Sequence, residues 1–282
     1  MADITAIILT YNEELNLPDC IASIRPFVRR IVIVDSFSTD STVQIAKSMG
    51  IEVLQHKFDN QAKQFIWGLE QLQIDTEWIF RIDADERISS GAAQEIEAIC
   101  KTNDSQVTGI VVRYTVEFMG KQLRHGGIYP FKKMLLYRKG HAAMEDRAMD
   151  EHITLFDGYA VELKNDSFHH DYKSITAWID KHNKYSNREV KDYLCNQSGK
   201  KEDGRALTGR AKFKRWFKFN IYYKLPIGSR AHLYYWYRYY FKLGFLDGRE
   251  GKIFCFMQAY WYRFLVDAKI YEQQKKASKQ GE

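Results

Sequence analysis

The chain has 282 residues, 45% hydrophobic and 28% charged, a globular balance that excludes disorder and collagen-like repetition. That length allows one large domain or two modest ones and buries enough surface to fold without disulfides or a structural metal. The net charge of +6 hides an asymmetry, because Arg205 to Leu246 holds ten Lys/Arg and no Asp/Glu, leaving about −4 for the rest.

The four cysteines, Cys20, Cys100, Cys195 and Cys255, show no paired spacing. They fit neither a zinc pattern nor a disulfide framework and point to a reducing cytosol. Met1-Ala2-Asp3 runs straight into an apolar strand, so no signal peptide is expected, and no apolar stretch is long enough for a spanning helix. Aromatics reach 15%, and 14 of the 41 fall between Phe213 and Phe245.

In chain order, the apolar run Ile4 to Leu9 predicts a parallel strand covered on both faces. A helix is expected over 14–24, a strand over 30–35, and a helix from the caps around Ser38 to Ser41 through Met49, closed by Gly50. A short strand at Ile51 to Leu54, a helix over 62–72 and a strand at Trp78 to Ile82 continue the alternation, which marks a doubly wound sheet. After a helix near 91–101 the pattern turns β-like at 107–116, 134–137 and 159–163. Helical spacing returns over 173–194, a glycine-bearing linker follows at 200–210, and helices are expected at 211–223, 229–243 and 250–275.

Ligands of open α/β sheets sit beyond the carboxyl ends of the strands. Three such ends are polar here: Thr10-Tyr11-Asn12-Glu13-Glu14, Asp35-Ser36-Phe37-Ser38-Thr39-Asp40 and Asp83-Ala84-Asp85-Glu86. None is the glycine-rich loop that cradles phosphate on backbone amides in dinucleotide-binding crossovers and P-loops. Asp83 and Asp85 are two apart, so in an extended segment both carboxylates face one side and suit a hard divalent ion, Mg²⁺ or Mn²⁺. Asp85 and Glu86 also fit as caps of the helix beginning near Ser89, Asp35 as a helix cap, and Tyr11 as simple packing.

In order and spacing, these three segments resemble glycosyltransferase family 2 over about residues 4–195, and more narrowly its bacterial members that build lipopolysaccharide core, O-antigen or capsule. The resemblance implies an inverting, metal-dependent transferase with a GT-A-like, doubly wound, mostly parallel sheet (1–205); the composition beyond it predicts a helical, basic-aromatic extension (206–282). The resemblance also implies that Thr10, Tyr11 and Glu13 line the base and ribose of a nucleotide-sugar, that Asp35 accepts from a uracil-type ring, that Asp83 lies near the ribose, and that Asp85 binds the metal. The acidic loop Met144 to His152 resembles the segment supplying the base, with Asp150 favoured over Glu151. His170, with His169 as close rival, fits a histidine that completes the metal shell or meets the pyrophosphate. Arg124 and Gly127, in Arg124-His125-Gly126-Gly127, are expected to contact donor sugar or acceptor. Arg81 is expected either to pair with an acid or to touch phosphate.

The basic back of the chain has its own pattern. Phe213, Trp216, Phe217 and Ile221 form an apolar row and Lys214 and Lys218 a basic one, as in helices lying in a membrane interface. Tyr and Trp at this density suit headgroup depth. A membrane surface is the leading reading, ahead of an oligomer contact and of single-stranded nucleic acid. Together the halves predict a cytoplasmic enzyme, peripheral on the inner face of the cell membrane, moving a sugar from a UDP-linked donor to a lipid-linked glycan or lipopolysaccharide, with no nucleic-acid partner. The competing reading is a nucleic-acid-binding protein whose α/β domain is a scaffold. Nucleotidyl transfer would bring a glycine-rich, basic loop after the first strand, and Thr10 to Glu14 is not one.

Overall fold

The computed structural model describes residues 1–102, 104–145, 152–197 and 225–280. Two compact units emerge: Met1–Arg124 with Ile128–Lys173, and His125–Gly127 with Ser174–Glu282. The boundary expected at 205/206, the linker at 200–210 and the helix expected at 211–223 lie outside the described residues.

The first unit is built on β1 (Ala2–Thr10), whose side chains are buried on both faces. It pairs in parallel with β2 (Val28–Asp35) on one side and with β4 (Trp78–Asp83) on the other, and β2 pairs in parallel with β3 (Glu52–Gln55). Beyond β4 the sheet becomes mixed: β8 (Phe131–Arg138) runs antiparallel to β4 and to β6 (Val107–Phe118), and β11 (Tyr159–His170) runs parallel to β6. The two-residue β5 (Glu86–Arg87) closes the order β3-β2-β1-β4-β8-β6-β11-β5, with β7 (Lys121–Leu123) paired to β6. A separate ribbon joins β9 (Ala142–Met144) to β10 (Ile153–Leu155).

Because side chains alternate along a strand, β1 sends Ile4, Ala6 and Ile8 into one apolar layer and Ile7 into the other. Helices α1 (Leu17–Ile24), α2 (Thr42–Ser48) and α4 (Ser90–Lys101) pack on the first layer, α3 (Gln61–Gln71) on the second. Helix α1 starts later than its apolar spacing suggests, since a turn over Glu13–Asn16 precedes it and Pro18 occupies its first turn. Strand β11 runs seven residues beyond its predicted end at Leu163. Its polar tail is held by pairing to Thr115, Val116 and Glu117 on one side and to Arg87 and Glu86 on the other.

In the second unit, α5 (Ile175–Gln197) packs its Val190 and Tyr193 against Tyr262, Val266 and Ile270 of α8 (Tyr262–Gln280). The helices expected at 229–243 and 250–275 are interrupted. Helix α6 (Ser229–Trp236) passes into a π turn over Tyr237–Phe241, and α7 (Gly248–Cys255) reaches α8 through a second over Phe256–Trp261. Such wide turns are invisible to a 3.6-residue periodicity. Among the described residues, no helix is long and apolar enough to cross a membrane.

Arg230 and Asp267 form an ion pair with both side chains almost completely buried. Removing one partner of such a pair leaves an uncompensated charge, at about 3–5 kcal/mol. Asp267→Ala is therefore expected to lower the stability of this unit by that order, read as an earlier denaturant midpoint in the fluorescence of Trp178 and Trp261.

Candidate functional site

The carboxyl ends of β1 and β2 lie side by side, with Thr10 in register with Asp35. Asp35 is fully buried. Its carboxylate accepts from Thr10 Oγ1 at 2.9 Å, Ser38 N at 2.9 Å, Ser38 Oγ, and Gln55 Nε2 at 3.1 Å. A carboxylate has about four lone-pair sites, and all four are used.

The loops following the two strands are zipped together by backbone-to-side-chain bonds. Asn12 N donates to Ser38 Oγ at 2.8 Å, and Thr39 N returns a bond to Asn12 Oδ1 at 2.8 Å. Glu13 N donates to Thr42 Oγ1 at 2.8 Å, while Asp40 accepts from Thr42 N and Glu14 N at 3.0 and 3.2 Å. Asn12 and Phe37 both take left-handed backbone conformations, with φ of 53° and 58°. For a bulky residue such as Phe37 this is strained, and strain of this kind gathers at functional sites. It leaves the Phe37 ring 54% exposed, on the loop beside Tyr11, which is 51% exposed.

At the end of β4 the chain turns sharply, so that Asp83 N donates to Glu86 Oε2 at 3.1 Å. Lys133, from β8, places its ammonium 2.9 Å from Asp83 and 2.6 Å from the fully buried Glu86. Arg81 lies 3.6 Å from Asp83, so it pairs with an acid. Burial opposes ionisation of Asp83, but Lys133 and Arg81 outweigh it and hold its pKa at about 2. Burial pushes Glu86 upward against the pull of Lys133. The Lys133 pKa is raised despite burial, because Asp83, Glu86 and Asp85 surround it with negative charge. These acids do not cap the next helix: Ser89 Oγ accepts from Ala92 N and caps α4 itself.

Asp85, its side chain about 10% exposed, faces His169, with Oδ2 3.7 Å from Nε2. The neighbouring His170 points the other way along the strand, its Nε2 3.3 Å from Glu117 Oε1. Of the two histidines, His169 therefore stands with the acidic turn. Backbone contacts lock the pair of strands: His170 N donates to Asp85 O at 2.9 Å, and Arg87 Nη1 donates to both Asp85 O and His170 O. Among the described residues no group of three or more His, Cys, Asp or Glu is placed to hold a metal ion.

Glu13 belongs to a second network. Its carboxylate meets Lys173 Nζ at 2.5 Å and accepts from Asn16 Nδ2 at 2.8 Å, and Asn16 also donates to Asp171 Oδ1 at 2.9 Å. Burial pushes the Glu13 pKa up, with Lys173 opposing. Arg124 lies in the first unit, its guanidinium 5.7 Å from the centre of the Tyr129 ring. Gly127 belongs to the second unit, where a Cβ on it would touch the Lys242 side chain at 3.5 Å. Asp150 and Glu151 lie outside the described residues. Lys133, Gln55, Phe37, Arg87 and Lys173 were not singled out from sequence. Of these only Phe37 lay inside a strand end named from sequence; Lys133 falls just before the strand expected at 134–137, beside Lys132.

Residues 5–155 match the family model described as glycosyl transferase family 2. An uncharacterized glycosyltransferase of Rickettsia felis is 28% identical over 282 residues, covering 96% of this chain and 90% of that protein. The lipopolysaccharide core biosynthesis glycosyltransferase LpsC of Rhizobium meliloti is 26% identical over 284 residues, 96% of this chain and 92% of that protein. Among solved structures, glucosyl-3-phosphoglycerate synthase of Mycobacterium tuberculosis, in complex with Mn²⁺, UDP and glucosyl-3-phosphoglycerate, aligns with a TM-score of 0.33 and 18% identity over 41% of this chain. The chain spans 44% of that structure's length.

Lys133→Met would leave Glu86 as a fully buried carboxylate without its cation, and Asp83 with Arg81 alone, a change on the order of 3 kcal/mol. Without the ammonium, burial drives the folded pKa of Glu86 further above the unfolded one, so the folded state binds more protons and loses stability as pH rises. The stability deficit against the parent protein should therefore be larger at pH 7.5 than near pH 5, as read by urea denaturation at both.

Proposed function

This chain belongs to glycosyl transferase family 2, and from that premise we propose that it moves a sugar from a nucleotide-sugar, UDP-linked in the favoured case, to a lipid-linked glycan or lipopolysaccharide acceptor. It is a glycosyltransferase, and the α/β unit is its catalytic part, which sets aside the reading of that unit as a scaffold for nucleic-acid binding. The observation that carries the donor half is the convergence at the sheet's carboxyl edge. The Thr10–Asp35 pair, the exposed rings of Tyr11 and Phe37, and the Asp83–Asp85 turn all belong to the ends of β1, β2 and β4.

In this reading the nucleobase stacks on Tyr11 or Phe37. A ring N–H reaches Asp35 by taking the place of Gln55 Nε2, the longest of its four contacts. Glu13 and Asp83 lie toward the ribose, with Lys133 and Lys173 holding their carboxylates in place. Asp85 and His169 offer a hard oxygen and an imidazole nitrogen, a donor set that fits Mn²⁺ or Mg²⁺ with open positions for diphosphate oxygens. Such an ion supplies positive charge against the diphosphate as it leaves.

The acceptor hydroxyl attacks the anomeric carbon from the face opposite the diphosphate, so configuration inverts. Asp150, or Glu151, takes the hydroxyl proton as the new bond forms. Arg124 is assigned to sugar or acceptor contacts. The likeness to a lipopolysaccharide core transferase supports a lipid-linked acceptor. With the basic, aromatic C-terminal segment it supports work at the inner face of the cell membrane, as a monomer or a homo-oligomer.

Calorimetric titration of UDP, GDP and dTDP, with Mn²⁺ and with EDTA, is expected to give metal-dependent binding of one nucleotide. Absence of all three would remove the donor assignment. Asp85→Ala should abolish that metal dependence and reduce transfer by about 10³-fold or more with an unchanged circular dichroism spectrum. Asp150→Asn should keep donor binding and lose transfer. If Glu151→Gln does so instead, the base is Glu151.

A further inference from the structure

The second unit leaves uncovered an apolar surface on a helical hairpin. Helix α6 runs antiparallel to the segment that follows α7: His232 stacks on Tyr260 at 4.6 Å, and Tyr235 meets Phe256 edge-on at 6.3 Å. At the tip, where the chain reverses, Trp236, Tyr240, Phe241, Leu243, Phe245 and Leu246 are all exposed, Phe241 by 80%. Leu243 adopts φ of 58°, a left-handed conformation that favours glycine, and its side chain still points outward.

Within residues 225–246 the charges have one sign, and Glu250, half-buried, stands between Arg249 and Lys252 on the following helix. From Leu225 to Leu246 the sequence holds no Asp or Glu. The first acid, Asp247, is buried and bonded to His125 through the His125 N–H and Nδ1, both at 2.8 Å. Arg238 is buried too, donating from Nε to Gly126 O at 2.6 Å. Lys242, Arg249 and Lys252 remain exposed around the tip.

We infer that the tip of this hairpin, residues 236–246, is the element that enters the interface of an anionic lipid bilayer. The inference rests on the proposed lipid-linked acceptor and deepens it by naming the lipid class and the residues that insert. Trp and Tyr match headgroup depth, Phe and Leu the acyl boundary below it, and the cations match acidic headgroups. A second copy of the chain fits less well, because a two-fold contact would set Lys242 patches against each other with no acid on the tip to neutralise them. Single-stranded nucleic acid would use the rings and cations but gain little from Leu243 and Leu246.

The test is flotation of the full chain with vesicles of phosphatidylcholine, alone or mixed with phosphatidylglycerol, comparing the parent protein with Phe241→Ser/Leu243→Gly and with Leu243→Gly alone. The parent should bind the phosphatidylglycerol vesicles preferentially, and the double variant should partition about tenfold less. Tm should hold or rise, since glycine relieves the left-handed backbone, and transfer to a water-soluble acceptor should be unchanged. The single variant shows a smaller loss of binding and serves if the double one unfolds. Equal binding by parent and variants would overturn the inference while leaving the membrane reading intact. A parent that binds neither vesicle would overturn both. Dissociation of a parent dimer by the substitutions, or competition by single-stranded DNA with no vesicle binding, would reassign the tip to those partners.

Discussion

Lys133 is the group on which the arrangement at the end of β4 depends, because three carboxylates fall within four residues there and one ammonium serves two of them. Without it Glu86 would lie buried beside two like charges, with Arg81 reaching only Asp83. The cation comes from a strand that is antiparallel to β4, so the mixed half of the sheet supports the parallel half at the carboxyl end of β4. With Lys133 engaged by Asp83 and Glu86, Asp85 is directed at the His169 imidazole. Division of labour between adjacent acids thus follows from where one lysine reaches.

Around Asp35 the edge is organised without charge pairing. Asp35 gathers donors from β1, β3 and its own loop, and Gln64 of α3 bonds Ser36 Oγ and the His56 carbonyl, each at 3.1 Å. His56 in turn stacks on Trp67 at 4.4 Å. Strained left-handed residues at Asn12 and Phe37 are tolerated because these bonds over-determine the loops. The exposed aromatic rings are therefore presented by a rigid frame and need little ordering when a ligand arrives.

Much of this was legible in the sequence, and what was not has physical causes. The strands β1, β2 and β4 stood out because burial on both faces demands continuous apolar runs, and their polar ends stood out by contrast with those runs. The tail of β11 did not: Asn165 to His170 is polar, and only pairing to two neighbours makes it a strand. That pairing decides which histidine joins the acidic turn, because residue alternation turns His169 and His170 to opposite partners, Asp85 and Glu117. Spacing from an acidic motif cannot carry that information. Lys133 and Arg87 escaped for a similar reason: their roles come from contacts 47 and 83 residues away along the chain. The π turns after α6 and α7 were read as unbroken helix because apolar content alone does not register one extra residue per turn.

The saturation of Asp35 bears on how a nucleotide would be chosen. Since its four acceptor sites are already filled, a ring N–H gains nothing by simple addition and must exchange with a donor that leaves. Ser38 cannot leave without unzipping the loop from Asn12, and Thr10 is fixed in β1. Gln55, at the end of the edge strand β3, is exposed and can turn its amide elsewhere. Exchange conserves the number of hydrogen bonds, so the free energy separating one base from another comes from whether the ring's edge fits the place the amide vacates. A base presenting an acceptor there would meet carboxylate oxygen and be rejected by like polarity, whereas one presenting N–H would be accepted. Selectivity at this edge then follows from a donor already in place that only the right ligand can replace.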